Sequence, residues 1–254
     1  MPFNIDEVRE LRPESDFRYF PVIDSTMTEA ARLANEGAPH GTVIVTDEQL
    51  KGVGRLGRSW ISEFDVGLYT SVLLRVPLPP AKLPVVSLAV GLAAAAAIQK
   101  TTDLTCDLRW PNDVLIGESK VAGILTQLVG SCVVAGIGIN VNNSAFPNDL
   151  RTPATSLLLS SSRRHSRESL LLQLLSSLDM FCDLLVNSGT EAVLSTFANS
   201  SSYVRDRRVF VEETGMRGIT AGLDDHGFLL VRSDAGELHR ISSGGIRPDN
   251  RSSF

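Results

Sequence analysis

Positive charge is in short supply in this sequence, and cysteine, tryptophan and long apolar runs are scarcer still. The 254 residues carry 24 Lys and Arg against 29 Asp and Glu, a net charge of −5. A protein that lives on nucleic acid replaces the counterions around phosphates with basic side chains. That surplus is absent, so no DNA partner is expected, although local basic residues still suit a small anion. The three cysteines, Cys106, Cys132 and Cys182, are odd in number and far apart, with no CxxC or Cys/His pattern. They exclude a disulfide framework and a thiolate metal site, and suit reduced core thiols in the cytoplasm. The longest apolar run, Leu83–Ile98, has 16 residues and is dominated by Ala. A bilayer span needs about 20, so a buried helix is expected, and no membrane association. The opening MPFNIDEVRELRPESDFRYF mixes both signs of charge and lacks the apolar core of a signal peptide. No GxxxxGK[ST] motif, no internal repeat and no low-complexity tract occurs.

What is present is an ordinary globular composition, 43% apolar, with length for one large domain or one large and one small. Thr26-Met27-Thr28-Glu29 reads as a capping box opening a helix that Gly37 closes. Thr42–Thr46 and Gly67–Val76 read as strands either side of a Gly- and Arg-rich loop, Lys51–Trp60, and the Ala-rich helix follows. Leu104–Trp110, Lys120–Val129 and Cys132–Val141 are further strand signals, apolar inside and bounded by Pro, Gly or Asn. Leu171, Leu174, Leu175, Leu178, Phe181, Cys182 and Leu185 recur at helical spacing, and a weaker helix runs through Glu191–Asn199. After Ser202 the character changes. Arg207–Glu213, Gly218–Leu223, Phe228–Ser233 and Glu237–Ser242 are short strands joined by hairpin-type turns, which predict a small barrel. The expected organisation is therefore a first domain over 1–202, α+β with a mixed sheet, and a small β-barrel domain over 203–254.

Gly52-Val53-Gly54-Arg55-Leu56-Gly57 matches GxGxxG. A dinucleotide fingerprint requires the first Gly directly after a strand, a helix opening at the last, and an acid about 20 residues on. Here a polar segment, Asp47–Lys51, precedes the loop, another strand follows it, and the residues near position 73 are apolar or basic. The conditions fail. Arg55 and Arg58 set the loop apart from a plain turn: guanidinium groups bind phosphate or carboxylate in bidentate fashion, and glycines let backbone approach a ligand. On this segment alone a solvated surface loop accounts for the residues equally well.

Four segments in order resolve the choice: Asp24-Ser25-Thr26; Gln49 with KGVGRLGRSW; RWPNDVLI with ESKVAGIL; and GIGINVN. Together they closely resemble the catalytic domain of biotin–protein ligases, over about Phe20–Asn142, with a looser likeness through the C-terminal part. The resemblance implies a mixed β-sheet flanked by helices, of the class II aminoacyl-tRNA synthetase/biotin ligase type, with a small SH3-like barrel. It implies an enzyme that activates biotin with ATP to biotinyl-5′-AMP and transfers biotin to a lysine of a biotin carboxyl carrier protein, with Mg²⁺ held largely by phosphates and water.

The family's functional positions carry over residue by residue. Lys120 matches the lysine that contacts the biotin carboxyl and the phosphate, and Arg55 and Arg58 the loop arginines that clamp the phosphate. Ser25, Thr26 and Gln49 match ureido-binding positions. The loop backbone at Gly52, Val53 and Gly54 matches biotin-contacting backbone, and Gly123 and Gly136 are expected to let the chain approach the ligand's apolar tail. Asn112 and Asn140 resemble adenine-contacting positions, Asp113 is the nearby acid, and Trp60 and Trp110 are candidates for pocket or core. No histidine and no metal ligand is assigned. Two departures stand out: Val53 replaces an Arg usual in the loop, and Arg109 replaces the Lys usual before Trp-Pro-Asn-Asp, keeping charge but not geometry. About 20 residues precede the first motif, too few for the helix-turn-helix domain of the family's repressors, so a ligase without DNA binding is expected. Dimerisation through a sheet edge is common in the family. The rival expectations are a lipoate–protein ligase and a biotin-binding regulator without turnover.

Overall fold

The computed structural model describes residues 2–249; Met1 and residues 250–254, the outer ends of the two expected domains, lie outside it. In chain order the elements are α1 (Ile5–Leu11), β1 (Phe17–Ile23), α2 (Thr26–Asn35), β2 (Val43–Gln49), β3 (Leu68–Leu74), α3 (Leu83–Thr102), β4 (Asp107–Arg109), β5 (Asp113–Ile116), β6 (Ser119–Val129), β7 (Cys132–Ile139), α4 (Leu157–Ser161) and α5 (Arg167–Asn199), then β8 (Arg205–Val211), β9 (Arg217–Leu223), β10 (Leu229–Ser233), β11 (Leu238–Ile241) and β12 (Ile246–Pro248). The first seven strands form one sheet in the order β1-β2-β3-β7-β6-β5-β4. Only β1 and β2 run parallel in it; every other pair is antiparallel. The last five form a separate antiparallel sheet, β11-β10-β9-β8-β12. The mixed α+β class holds. The expected strand at Leu104–Trp110 contracts to its last residues, and α1, β1, β5, α4 and β12 are additions that the sequence reading did not contain.

Both faces of the large sheet are covered, and strand alternation decides which residue meets which cover. β3 is buried throughout, as a central strand must be. On one face Val133, Ala135, Ile137 and Ile139 of β7 join the main core with α3 and α5. On the other, Cys132 and Val134 pack with Met27, Ala30, Leu33 and Ala34 of α2. Small side chains on α3 (Ala93, Ala94, Ala97, all fully buried) leave room for α5 to approach closely. α3 extends four residues beyond the apolar run, and it and α5 are each long and apolar enough, by length and composition, to cross a membrane. In this fold both pack on the sheet core instead. The 33-residue α5 breaks at Gly189, where φ is +80°, so the two helices expected there meet at a kink.

The predicted capping box does not form. Ser25, not Thr26, occupies the N-cap, its hydroxyl caps nothing, and Glu29 pairs with Arg32. Thr26 lies one residue inside, where its amide is satisfied by Gln49 Oε1 at 2.9 Å. Gly37 does end the helix, at φ +86°, with Gly37 N–H donating to the Ala34 carbonyl and Ala38 N–H to that of Leu33. The three thiols are unpaired, and burial pushes Cys106 up to about 12 and Cys182 to about 11 and raises Cys132 above its ordinary value.

The junction between the sheets falls between Asn199 and Arg205. Their apolar residues nevertheless form one cluster, with Tyr203, Val209, Val231 and Ile246 joined to Leu108 and Trp110. Trp110 Nε1–H donates to the Gly227 carbonyl at 2.9 Å, so this indole packs between the sheets, and it also lines the cavity beside the glycine loop.

Candidate active site

On the α2 face, β7 reads Cys132, Val134, Gly136, Gly138: apolar where the helix lies, glycine beyond its N-terminus. There a cavity opens, bounded by β6, β7, the start of α2, the glycine loop and the 244–246 turn. Gly123 of β6 and Gly138 of β7 are cross-strand partners. A Cβ on Gly138 would stand 2.5 Å from Trp60 Cε2, and one on Gly123 2.8 Å from Trp60 Cζ3. The Trp60 indole therefore lies on bare backbone. Gly138 was not anticipated, although its spacing within GIGIN marks the same face. At Gly136 a Cβ would meet Met27 Sδ at 2.5 Å. Gly123 and Gly136, expected beside a ligand tail, both line the cavity, with Trp60 and Lys120 nearest the backbone at Gly123 and Met27 at Gly136.

The glycine loop is a tight hairpin, not a strand-to-helix turn. β2 runs on to Gln49, so part of the expected polar spacer is strand. Trp60 N–H bonds the Gly52 carbonyl, Gly54 N–H bonds the Arg58 carbonyl, and Val53 bridges Ser59. A side chain at Gly52 would strike the Trp60 carbonyl at 2.4 Å, so Gly52 serves the hairpin itself and does not line the cavity. Val53, Gly54, Arg55 and Arg58 do line it. Arg55 donates to the Gly244 carbonyl at 2.9 Å and to Asn112 Oδ1 at 3.3 Å; burial lowers its guanidinium from the ordinary value, and it stays charged. Arg58 pairs with Glu212 at 3.0 Å.

Opposite the loop, Asp113 holds two cations, Lys120 Nζ at 2.5 Å and Arg109 at 2.6 Å. Burial by itself would raise the Asp113 carboxyl; the charges of Lys120 and Arg109 and their hydrogen bonds together outweigh it and hold it below the ordinary carboxylate range. Arg109, buried at 5%, also donates to Thr152 Oγ1. Lys120 is half-buried and lies 5.3 Å over the Trp60 ring. Its backbone is clamped to the 153–155 segment through Pro153 and Thr155. Asn140 reinforces that clamp, its Nδ2–H donating to the Thr155 carbonyl at 3.0 Å, and it does not line the cavity. Asn112 lines the cavity, its amide spent on Arg55 and the Ile124 carbonyl.

At the α2 end, four polar side chains form one chain of hydrogen bonds. Ser71 Oγ–H donates to Thr26 Oγ1, Thr26 Oγ1–H to Gln49 Oε1, and Gln49 Nε2–H to Ser62 Oγ. Ser71 and Ser62 were missed, because nothing local distinguishes a serine in an apolar strand or in the irregular segment that follows the hairpin. Ser25 Oγ and Trp60 Nε1 are buried without a hydrogen-bond partner, which is uncommon for native polar atoms away from functional sites.

Comparison with known proteins identifies the family to which this fold belongs. Residues 19–143 match the model of the biotin/lipoate A/B protein ligase family, and residues 212–246 that of the biotin protein ligase C terminal domain. The chain is 33% identical over 236 residues to the bifunctional ligase/repressor BirA of Bacillus spizizenii, covering 90% of this chain and 72% of that protein. It is 32% identical over 208 residues to the biotin–[acetyl-CoA-carboxylase] ligase of Mycobacterium tuberculosis, covering 79% and 77%. Among solved structures, biotin protein ligase from Aquifex aeolicus in complex with biotin and ATP superposes with a TM-score of 0.79 at 30% identity, over 91% of this chain and 97% of that one. The glycine-floored cavity between a lysine-bearing strand and an arginine hairpin thus sits in a chain that belongs to the biotin protein ligases of the biotin/lipoate A/B protein ligase family.

Proposed function

We propose that this protein joins the carboxylate of biotin to the α-phosphate of ATP, forming biotinyl-5′-AMP and pyrophosphate, and then passes the biotinyl group to a lysine amine of a biotin carboxyl carrier protein with release of AMP. The observation that carries this reading is one cavity lined by Lys120 on its strand and by Arg55 and Arg58 on the hairpin opposite. Both steps gather negative charge at a single phosphorus, and fixed cations in a water-poor cleft stabilise such charge far better than water does. Lys120 neutralises the reacting carboxylate and phosphate, and Arg55 and Arg58 close over the phosphate from the hairpin. Arg109 lies behind Asp113, so this buried carboxylate keeps a counter-ion when Lys120 turns to the ligand.

Biotin's ureido ring presents two N–H donors and a carbonyl, which need polar partners once buried. The Ser71–Thr26–Gln49–Ser62 chain, which reaches the cavity through Thr26 and Gln49, is suited to it, whereas Ser25, with its unpaired hydroxyl, does not line the cavity. Met27, Trp60, Ile124 and Leu125 suit the apolar tail. On the ATP side we assign Trp60, Asn112 and Asp113, with Asn140 acting through the backbone of Lys120 and Thr155. The two carboxylates lining the cavity, Asp113 and Glu212, are each saturated by cations. These residues do not make a protein-held Mg²⁺ site; magnesium would arrive on the triphosphate. We assign 1–202 as the catalytic unit and 203–254 as the small barrel. Unpaired cysteines fit a cytoplasmic location.

The test is incubation with biotin, ATP, Mg²⁺ and a biotin carboxyl carrier domain, read by intact mass and by pyrophosphate release. One biotinyl group added to one carrier lysine is expected. Thermal stabilisation by lipoate but not by biotin would overturn the substrate assignment, and bound biotin without pyrophosphate would overturn turnover.

A further inference from the structure

The end of β8 meets the arginine hairpin twice. Glu212, whose side chain is 7% exposed, accepts a hydrogen bond from Arg58 on Oε2 at 3.0 Å and is ion-paired on Oε1 with Arg247 at 2.8 Å and Arg151 at 3.3 Å. Arg151 and Arg247 do not reach the cavity; Glu212 and Arg58 do. One oxygen is therefore fixed from behind and the other offered to the hairpin. The second meeting point is the Gly244 carbonyl, which accepts from Arg55. Its turn is tied to the same strand end, by Glu212 N–H to the Gly245 carbonyl at 2.9 Å and by Ser243 Oγ–H to Glu213 at 2.6 Å. Gly244 is at φ +79°, and a Cβ there would strike Glu213. The turn's geometry is thus fixed by the residues flanking the catch.

We propose that Glu212 is a positioning residue: a catch on the C-terminal sheet, held ready by Arg151 and Arg247, onto which Arg58 closes the hairpin over the bound acyl-adenylate. The proposal rests on the reading above, and goes beyond it in making retention of the intermediate depend on the second sheet. A hydrogen-bonded carboxylate–guanidinium contact is stronger than an exposed ion pair when one partner is buried and pre-oriented. Arg58 itself is about half exposed, so it can leave and return while Glu212 stays. Arg55 on the Gly244 carbonyl is a neutral-acceptor contact and cannot replace it.

The experiment forms labelled adenylate on the whole protein from biotin, ATP and Mg²⁺, then chases with unlabelled biotin in the absence of carrier. If the wild type makes no adenylate, the proposed function fails and the catch is not what failed. Given adenylate, Glu212→Gln is expected to raise its release rate about tenfold. Arg58→Ala should do the same, and the double variant should release no faster than either single one. Glu212→Asp keeps the charge that Arg151 and Arg247 surround but withdraws it from Arg58. It should also release faster, and it serves if Glu212→Gln does not fold. Release unchanged in the Glu212 variants, or a double variant whose effect is the product of the singles, overturns the catch. So does tighter retention in Glu212→Gln, which would mean that Glu212 competes with the phosphate for Arg58.

Discussion

Lys120 Nζ and Asp113 Oδ1 are 2.5 Å apart on neighbouring strands, and the same carboxylate accepts from Arg109 at 2.6 Å. One negative charge thus holds two positive ones, and both line the cavity, Lys120 the more exposed and Arg109 the more buried. If Lys120 leaves for a ligand, Asp113 and Arg109 remain a complete pair. Lys120→Ala should therefore keep its fold while losing adenylate formation by at least about 100-fold, the scale seen when a fixed charge-stabilising group is removed. Pyrophosphate release with circular dichroism checks both halves; retained activation removes Lys120 from the chemistry.

The reverse deletion behaves differently. Asp113→Asn leaves Arg109 and Lys120 facing each other without a counter-charge and should cost about 3 kcal/mol near neutral pH. Because the folded carboxyl is held below its ordinary value, its contribution is full above the unfolded pKa of about 4 and is lost as pH falls through the folded value. The difference in melting temperature between wild type and variant should shrink as pH is lowered below about 4. A gap independent of pH in that range would show that charge at Asp113 is not what matters.

Gly138→Ala tests the indole seat. The added methyl would lie 2.5 Å from the Trp60 ring, and backbone fixes it there, so the ring must lift. Overpacking of this kind costs about 1–3 kcal/mol. Biotin and ATP affinity should each fall about tenfold or more, with a shifted Trp60 emission read in a Trp110→Phe background. Unchanged binding would mean that Trp60 does not wall the pocket.

Arg55→Gly removes the hairpin's link to Asn112 and Gly244. Adenylate should escape and label lysines of bystander proteins. Labelling confined to the carrier domain, at an unchanged rate, would remove Arg55 from the lid.

Much of the large sheet was legible because its strands carry strong local signals: β3 and β7 are nearly continuous apolar runs, and Gly37 marks the end of α2 by backbone freedom. β1 was not, since Phe17–Ile23 alternates irregularly on a sheet edge and contains a proline. Nor was β5, whose four residues begin at the last Asp of the Trp-Pro-Asn-Asp motif. The capping box failed for a tertiary reason: Gln49, 23 residues on, accepts from the Thr26 amide, the role the local rule gave to the Glu29 carboxylate.

The amino-acid sequence alone determined the family, the α+β class with a second β unit, and the chemical identities of the lysine, arginine and polar side chains around the cavity, because motif order and periodicity are properties of the chain read locally. Only the tertiary structure decided what those groups face. Asp113 divided between Lys120 and Arg109, the indole seated on Gly123 and Gly138, Asn140 spent on backbone, and Arg58 caught by Glu212 from 154 residues away are all pairings across strands and sheets. Such pairings are set by sheet register and by the packing of one sheet on another, and no local pattern of residues encodes them.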